Sequence, residues 1–238
     1  MKLYDTLIRD LEMQLSEQTA VSYPYDPGRA WTDNGNAELV MLRDAAFELG
    51  GSGAPSVNGT CVTTTPGIVP DDEIVVLGAD LPQIRSDVPF ARLVLLEVED
   101  LGEDEEAYNA IRNLEFVRYS VYPRGYMTRV SAESNAEQVR VSRQAVSSGI
   151  TFEQVGDLYL NKYKAVPSVK HAKVIFAVDP PHMDALKADV EQIDAITKTL
   201  THILDGIPTD CASCQLKPVC DSVDGLREMH MKQRKNAK

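Results

Sequence analysis

Beyond Asp80 the chain alternates apolar, β-branched runs with amphipathic stretches, and this alternation limits what it can fold into more than any other feature. Strand-like runs cover residues 91–98, a segment around 139–141, and 173–178, while helical periodicity covers 104–119, 151–164 and 183–204. Segments in that order bury their apolar faces only as layers, so the pattern predicts an α/β fold, helices packed on a mixed or parallel sheet. Thr151 with Gln154 three residues on forms a capping box that starts one helix. Leu186, Val190, Ile193, Ile196, Leu200 and Ile203 mark the inner face of the last, which Gly206 and Pro208 end.

Upstream, residues 57–65 and 73–77 read as two further strands, with Cys61 as a small buried hydrophobe in the first. Leu3, Leu7, Leu11 and Leu15 recur every four residues, the mark of a short helix that needs a partner surface. Residues 21–36 hold Pro24, Pro27, Gly28 and Gly35 and read as a long loop around Trp31, the sole tryptophan. Residues 38–49 form a short apolar periodic stretch that ends in Gly50-Gly51-Ser52-Gly53-Ala54-Pro55. That cluster lacks the lysine of a phosphate loop and the spacing of a dinucleotide fingerprint, so it is read as a tight turn. Two units are expected: an α/β domain over 1–206 and a cysteine-rich segment with a basic tail over 207–238.

The formal charge of −12 repels nucleic acid and anionic lipid, which excludes both as main partners. A 43% hydrophobic content supplies a core, and no apolar run is long enough to span a bilayer, so a cytoplasmic protein is expected. Reduced thiols go with that compartment. Residues 108–143 run against the overall charge, with six arginines, Arg112, Arg118, Arg124, Arg129, Arg140 and Arg143, against three acids. Either these are solvated cations paired with acidic neighbours, or they receive a phosphorylated or carboxylated ligand through guanidinium forks.

Cys211, Cys214 and Cys220 give Cys-x-x-Cys-x5-Cys at the foot of the last helix. A two-residue gap lets two sulfurs turn toward one ion, and a third makes one face of a tetrahedral site or three corners of a cubane. Candidates for the fourth ligand are His230, Asp210, Asp221, Cys61 or an external group. The chemistry admits an iron–sulfur cluster, with 4Fe–4S as first choice, or zinc in a Cys3His set.

Read together, several segments resemble one family. They are Glu48 to Pro55 (ELGGSGAP), Glu73 to Asp80 (EIVVLGAD), the VPFARLVLLEV run that ends at Val98, Val139 to Tyr163 (VRVSRQAVSSGITFEQVGDLYLNKY), and the cysteines from Ser213 to Cys220. The family is carbon monoxide dehydrogenase/acetyl-CoA synthase, and the similarity is to the middle region of the acetyl-CoA synthase (β-type) subunit, from about Glu38 to Asp221. The resemblance implies coenzyme A or an acyl-CoA as ligand of the basic region, with Arg140 and Arg143, and by proximity Arg124 and Arg129, as its contacts. It also implies an iron–sulfur cubane at the cysteines, a protein partner of the carbon monoxide dehydrogenase type, and an anaerobic one-carbon setting. Where the family has a fourth cysteine this sequence has Gly225-Leu226-Arg227-Glu228, and no Cys-Gly-Cys pair follows before Lys238, so no nickel is expected.

Three functions follow, in order: an accessory protein that binds a cluster or metal; an enzyme of acyl, methyl or carbonyl transfer completed by a partner's ligands; and a zinc-stapled structural module.

Overall fold

The computed structural model describes residues 4–37, 40, 45–51, 53–101, 104–130, 137–205 and 211–222. Helix α1 (Asp5–Leu15) is followed by strands β1 (Ala20–Pro24), β2 (Ala46–Leu49), β3 (Ser56–Thr63), β4 (Glu73–Leu77) and β5 (Phe90–Val98). Then come α2 (Asp104–Phe116), a 3-10 turn (Val117–Ser120), β6 (Tyr126–Val130), β7 (Glu137–Ser142), α3 (Arg143–Ser147), α4 (Phe152–Lys164), β8 (Val169–Val178), α5 (Met183–Leu204) and α6 (Lys217–Ser222).

The fold is α/β, as the alternation requires. A five-stranded mixed sheet runs in the order β1-β4-β8-β5-β3, with β4 parallel to β8, β5 parallel to β3, and the other two neighbouring pairs antiparallel. Every residue of β5 is buried, which is what a strand covered on both faces demands. Register shows how both faces are covered. Ile74, Val174, Val94 and Thr60 stand side by side on one face, and α4 lies against it so closely that a Cβ on Gly156 would come within 2.4 Å of Ile74. Gly59 faces the other way, and a Cβ there would meet Ile193 and Val190 of α5. Phe152 of α4 stacks on Phe176 with ring centroids 4.7 Å apart, and Phe90 lies against both.

Most predicted elements appear close to their expected bounds. The capping box at Thr151 and Gln154 is formed, with the Gln154 amide N–H donating to Thr151 Oγ1 and the Thr151 N–H to Gln154 Oε1. α1 packs on α5 and β3, which supply its partner surface. Cys61 is buried in β3.

Three expectations change. The loop assigned to 21–36 begins as an edge strand: Ala20 to Pro24 pair with β4, and Pro24 is tolerated because it ends an outer strand. The segment at 139–141 is a strand, β7, but it belongs to a second, antiparallel sheet of order β2-β7-β6 and not to the main one. Helix 104–119 is helical to Phe116 and tightens into a 3-10 turn beyond it. The helix stop at Gly206 and Pro208, Leu3, most of the 38–44 stretch, and the basic tail lie outside the described residues.

Candidate functional site

The arginines of the basic stretch separate into two groups once the second sheet is in place. Arg140, on β7, is buried: its guanidinium donates from Nε (3.1 Å) and Nη2 to Glu48 Oε1 on the neighbouring β2, and from Nη1 to the Val40 carbonyl oxygen. Arg118 is buried with Glu115 and Glu137, and Arg112 meets Asp205 at 3.5 Å near the surface. Arg129 Nε faces the Gln138 side-chain oxygen at 2.8 Å, with the amide turned to satisfy both. These are cations paired with neighbours, but Arg118 and Arg140 are enclosed, not solvated as expected from sequence.

Arg124 and Arg143 remain without a carboxylate partner among the described residues. Arg143 caps the Phe47 ring, 5.0 Å from its centroid. Arg124 lines a polar depression of about 340 Å³ with Trp31, Gly125, Ser142, Gln144 and Ser148. The Trp31 indole N–H donates to the Arg124 carbonyl at 3.0 Å, which pins the ring beside the arginine backbone. Gly125 sits at φ +75, and a Cβ there would run into Ala145 and Ser142, so the close turn that forms this wall requires glycine. An aromatic plane, a free guanidinium and several hydroxyl and amide groups around one hollow are the elements of a site for an anionic ligand with a planar ring.

The segment that carries Trp31 is strapped to α4. Asp157, fully buried, accepts from the Asp26 amide at 2.9 Å and from Arg29 Nε at 2.6 Å; the Trp31 amide donates to the Gln154 carbonyl at 3.1 Å. The only sequence signal was an acid at an inward-facing position of the helix.

A second feature went unread in the sequence: Arg92, 1% exposed, in the middle of the apolar run of β5. It donates to Glu137, to the Tyr159 hydroxyl and to Thr128 Oγ1. Glu137 also receives Arg118 Nε at 3.2 Å. Burial alone would raise the Glu137 pKa, but the two guanidinium groups outweigh it and hold the carboxyl below the ordinary glutamate value.

Cys211, Cys214 and Cys220 form no disulfide among the described residues and are each half-buried, in the segment that packs α6 on α5. Burial raises the Cys220 pKa, and the charges of Cys214, Cys211 and Asp221 raise it further. Three sulfur donors within ten residues are the soft ligands a thiophilic cation takes, so the donor chemistry fits. Among the described residues no three or more His, Cys, Asp or Glu side chains already converge as a metal site. His230 and Asp210 lie outside the described residues, and Cys61 is enclosed in β3, where burial pushes its thiol pKa up.

The fold and site define an α/β module with a polar depression lined by Arg124 and a C-terminal cysteine segment. Residues 34–183 match the family described as CO dehydrogenase/acetyl-CoA synthase complex beta subunit, and the chain belongs to that family. No curated protein sequence matches it. The matched span includes Trp-flanking Arg124 and Arg129, Arg140 and Arg143, and stops before the cysteines, so the resemblance expected as far as Asp221 is supported to residue 183. No described helix is long and apolar enough to cross a membrane.

Proposed function

We propose that this chain is a ligand-binding accessory module of a CO dehydrogenase/acetyl-CoA synthase type assembly, that its small-molecule ligand is coenzyme A or an acyl-CoA, and that its cysteines hold a metal centre. The observation that carries the ligand reading is the hollow where Arg124, unpaired among the described residues, stands beside Trp31. Coenzyme A supplies phosphates for a guanidinium and a planar base for an indole. Arg143, three residues beyond β7's buried Arg140, does not line the hollow but follows its lining residue Ser142, and in this reading it serves as an outlying second cation. Arg140 and Arg129 act in this reading as supports that hold the sheet edge, Arg140 through Glu48 and Arg129 through Gln138.

The family name supports a partner subunit in a complex. For the metal, the sequence spacing and the three sulfur donors support an iron–sulfur cluster, with zinc as the alternative.

Trp31, the sole tryptophan, reports on the ligand site directly. Titration with coenzyme A should quench or shift its fluorescence, and Arg124→Ala should weaken binding by about tenfold, the loss of one charge-assisted contact. An unchanged Trp31 signal across the titration, or binding indifferent to Arg124, contradicts the assignment.

A further inference from the structure

We propose a second small-molecule site, at the outer edge of β3, that takes an amino-acid-like zwitterion with its ammonium inward. A cavity of about 480 Å³ lies where β3, the end of α2, the 3-10 turn and β7 meet α5. Its floor has spent its donors. All the N–H groups of Arg118 are directed at Glu137, Thr60, Tyr119 and the carbonyl and carboxylate of Glu115. Both N–H groups of the Asn58 amide go to Ser56 Oγ and the Glu137 carbonyl, each at 2.9 Å.

Acceptors are left over. Asn58, 9% exposed, has no partner for Oδ1, and Glu115 has none for Oε2. The Asn58 amide cannot turn over to cure this, because its two donors are already correctly placed. Asp194 of α5 adds a half-buried carboxyl on the same wall, with burial and then the charge of Glu115 raising its pKa. Buried acceptors without donors are costly, and a ligand that brings N–H groups relieves the cost.

The choice of ligand follows from the count. A free anion finds no unspent donor on the floor. A metal ion needs converging ligands, and no such set exists among the described residues. A primary ammonium carries three donors and no acceptor, which matches Asn58 Oδ1, Glu115 Oε2 and Asp194. Asn58 and Glu115 both line the cavity, and their orphan oxygens are closed to solvent, so the entering ammonium must displace the side chains around them to reach these acceptors. Two exposed cations complete the lining, Lys198 and Lys187, the latter 4.0 Å from Glu191, and they suit the carboxylate end of the same molecule. Between floor and mouth, Val57, Val190 and the Tyr119 ring line the passage for an aliphatic stem.

The test is a titration of the full chain with 5-aminopentanoate and, separately, with pentanoate, followed by amide chemical shifts that include the Asn58 side chain. The zwitterion should move the Asn58 and Asp194 signals in a saturable way, and pentanoate should not. Asp194→Asn should weaken 5-aminopentanoate by about tenfold, as expected for one charge-assisted hydrogen bond. Because Asp194 is only half-buried, its amide variant should keep the wild-type melting profile, and Glu115→Gln serves as a second variant at the floor. Equal shifts with pentanoate, no saturable shift with 5-aminopentanoate, or binding unchanged in both variants overturns the proposal.

Discussion

Glu137→Ala should cost about 3–5 kcal/mol of folding free energy, the range for removing one partner of a buried ion pair, and so consume much of the roughly 5–15 kcal/mol that holds a typical domain together. The carboxylate is shared by Arg92, 1% exposed, and Arg118, 7% exposed, and these join the five-stranded sheet to the 3-10 turn and the start of β7. Removing it leaves two enclosed guanidinium groups without their common counter-ion. The side chain's loss as packing is the smaller part. For that reason Arg92→Met combined with Glu137→Leu should cost less than the sum of the two single changes, since the double variant leaves fewer buried charges unpaired. Urea unfolding of the four species at pH 7 measures this coupling; strict additivity would show that the pair is not an energetic unit.

The same carboxylate sets an acid limit. Its folded-state pKa is depressed, so it binds protons less readily in the native state than in the unfolded chain. Its contribution is therefore complete above the unfolded glutamate value of about 4.3 and is lost as pH falls through the lower folded value. Wild-type stability should drop steeply with acid over that window, and Glu137→Gln should flatten this part of the profile.

Asp157→Ala should cost about 2–4 kcal/mol, a sum of stranded buried donors of the kind that each cost about 1–3 kcal/mol. Asp157 is the anchor for the Asp26 amide and the Arg29 guanidinium, and through them for the stretch that carries Trp31. Glu153 keeps one end of Arg29 at 2.7 Å, so the segment should loosen without detaching. The variant should remain folded at 25 °C, show red-shifted Trp31 emission, and bind coenzyme A more weakly although Asp157 does not line the hollow. Wild-type emission in a destabilised Asp157→Ala protein would separate the anchor from the site.

Legibility from sequence followed the physics of each element. α4 and α5 were readable because cap chemistry and apolar spacing are local signals, and β4 and β5 because short apolar runs between turn signals mark largely buried strands. β1 was hidden by Pro24, which is disfavoured in most strands but allowed at the end of an edge strand. The second sheet was hidden because β2 and β6 are short, and because β2 pairs with β7 across some ninety residues of chain, a register with no local signature. For the sites, the distinction among the arginines was unreadable: Arg140 and Arg124 look alike in sequence, and only the partner strand shows that the first is spent on Glu48. Arg92 and Asp157 did carry a signal, a charge at a position whose neighbours are all core.

A metal centre at the three thiols is the central claim about this chain's chemistry, and iron and acid-labile sulfide analysis of protein purified without oxygen tests it most directly. The prediction is a brown protein with iron and sulfide in cluster proportion, lost in a folded Cys214→Ser variant. A colourless preparation without iron, or one whose iron is indifferent to Cys214, contradicts the iron–sulfur reading, and the absence of zinc as well contradicts a metal centre at the thiols.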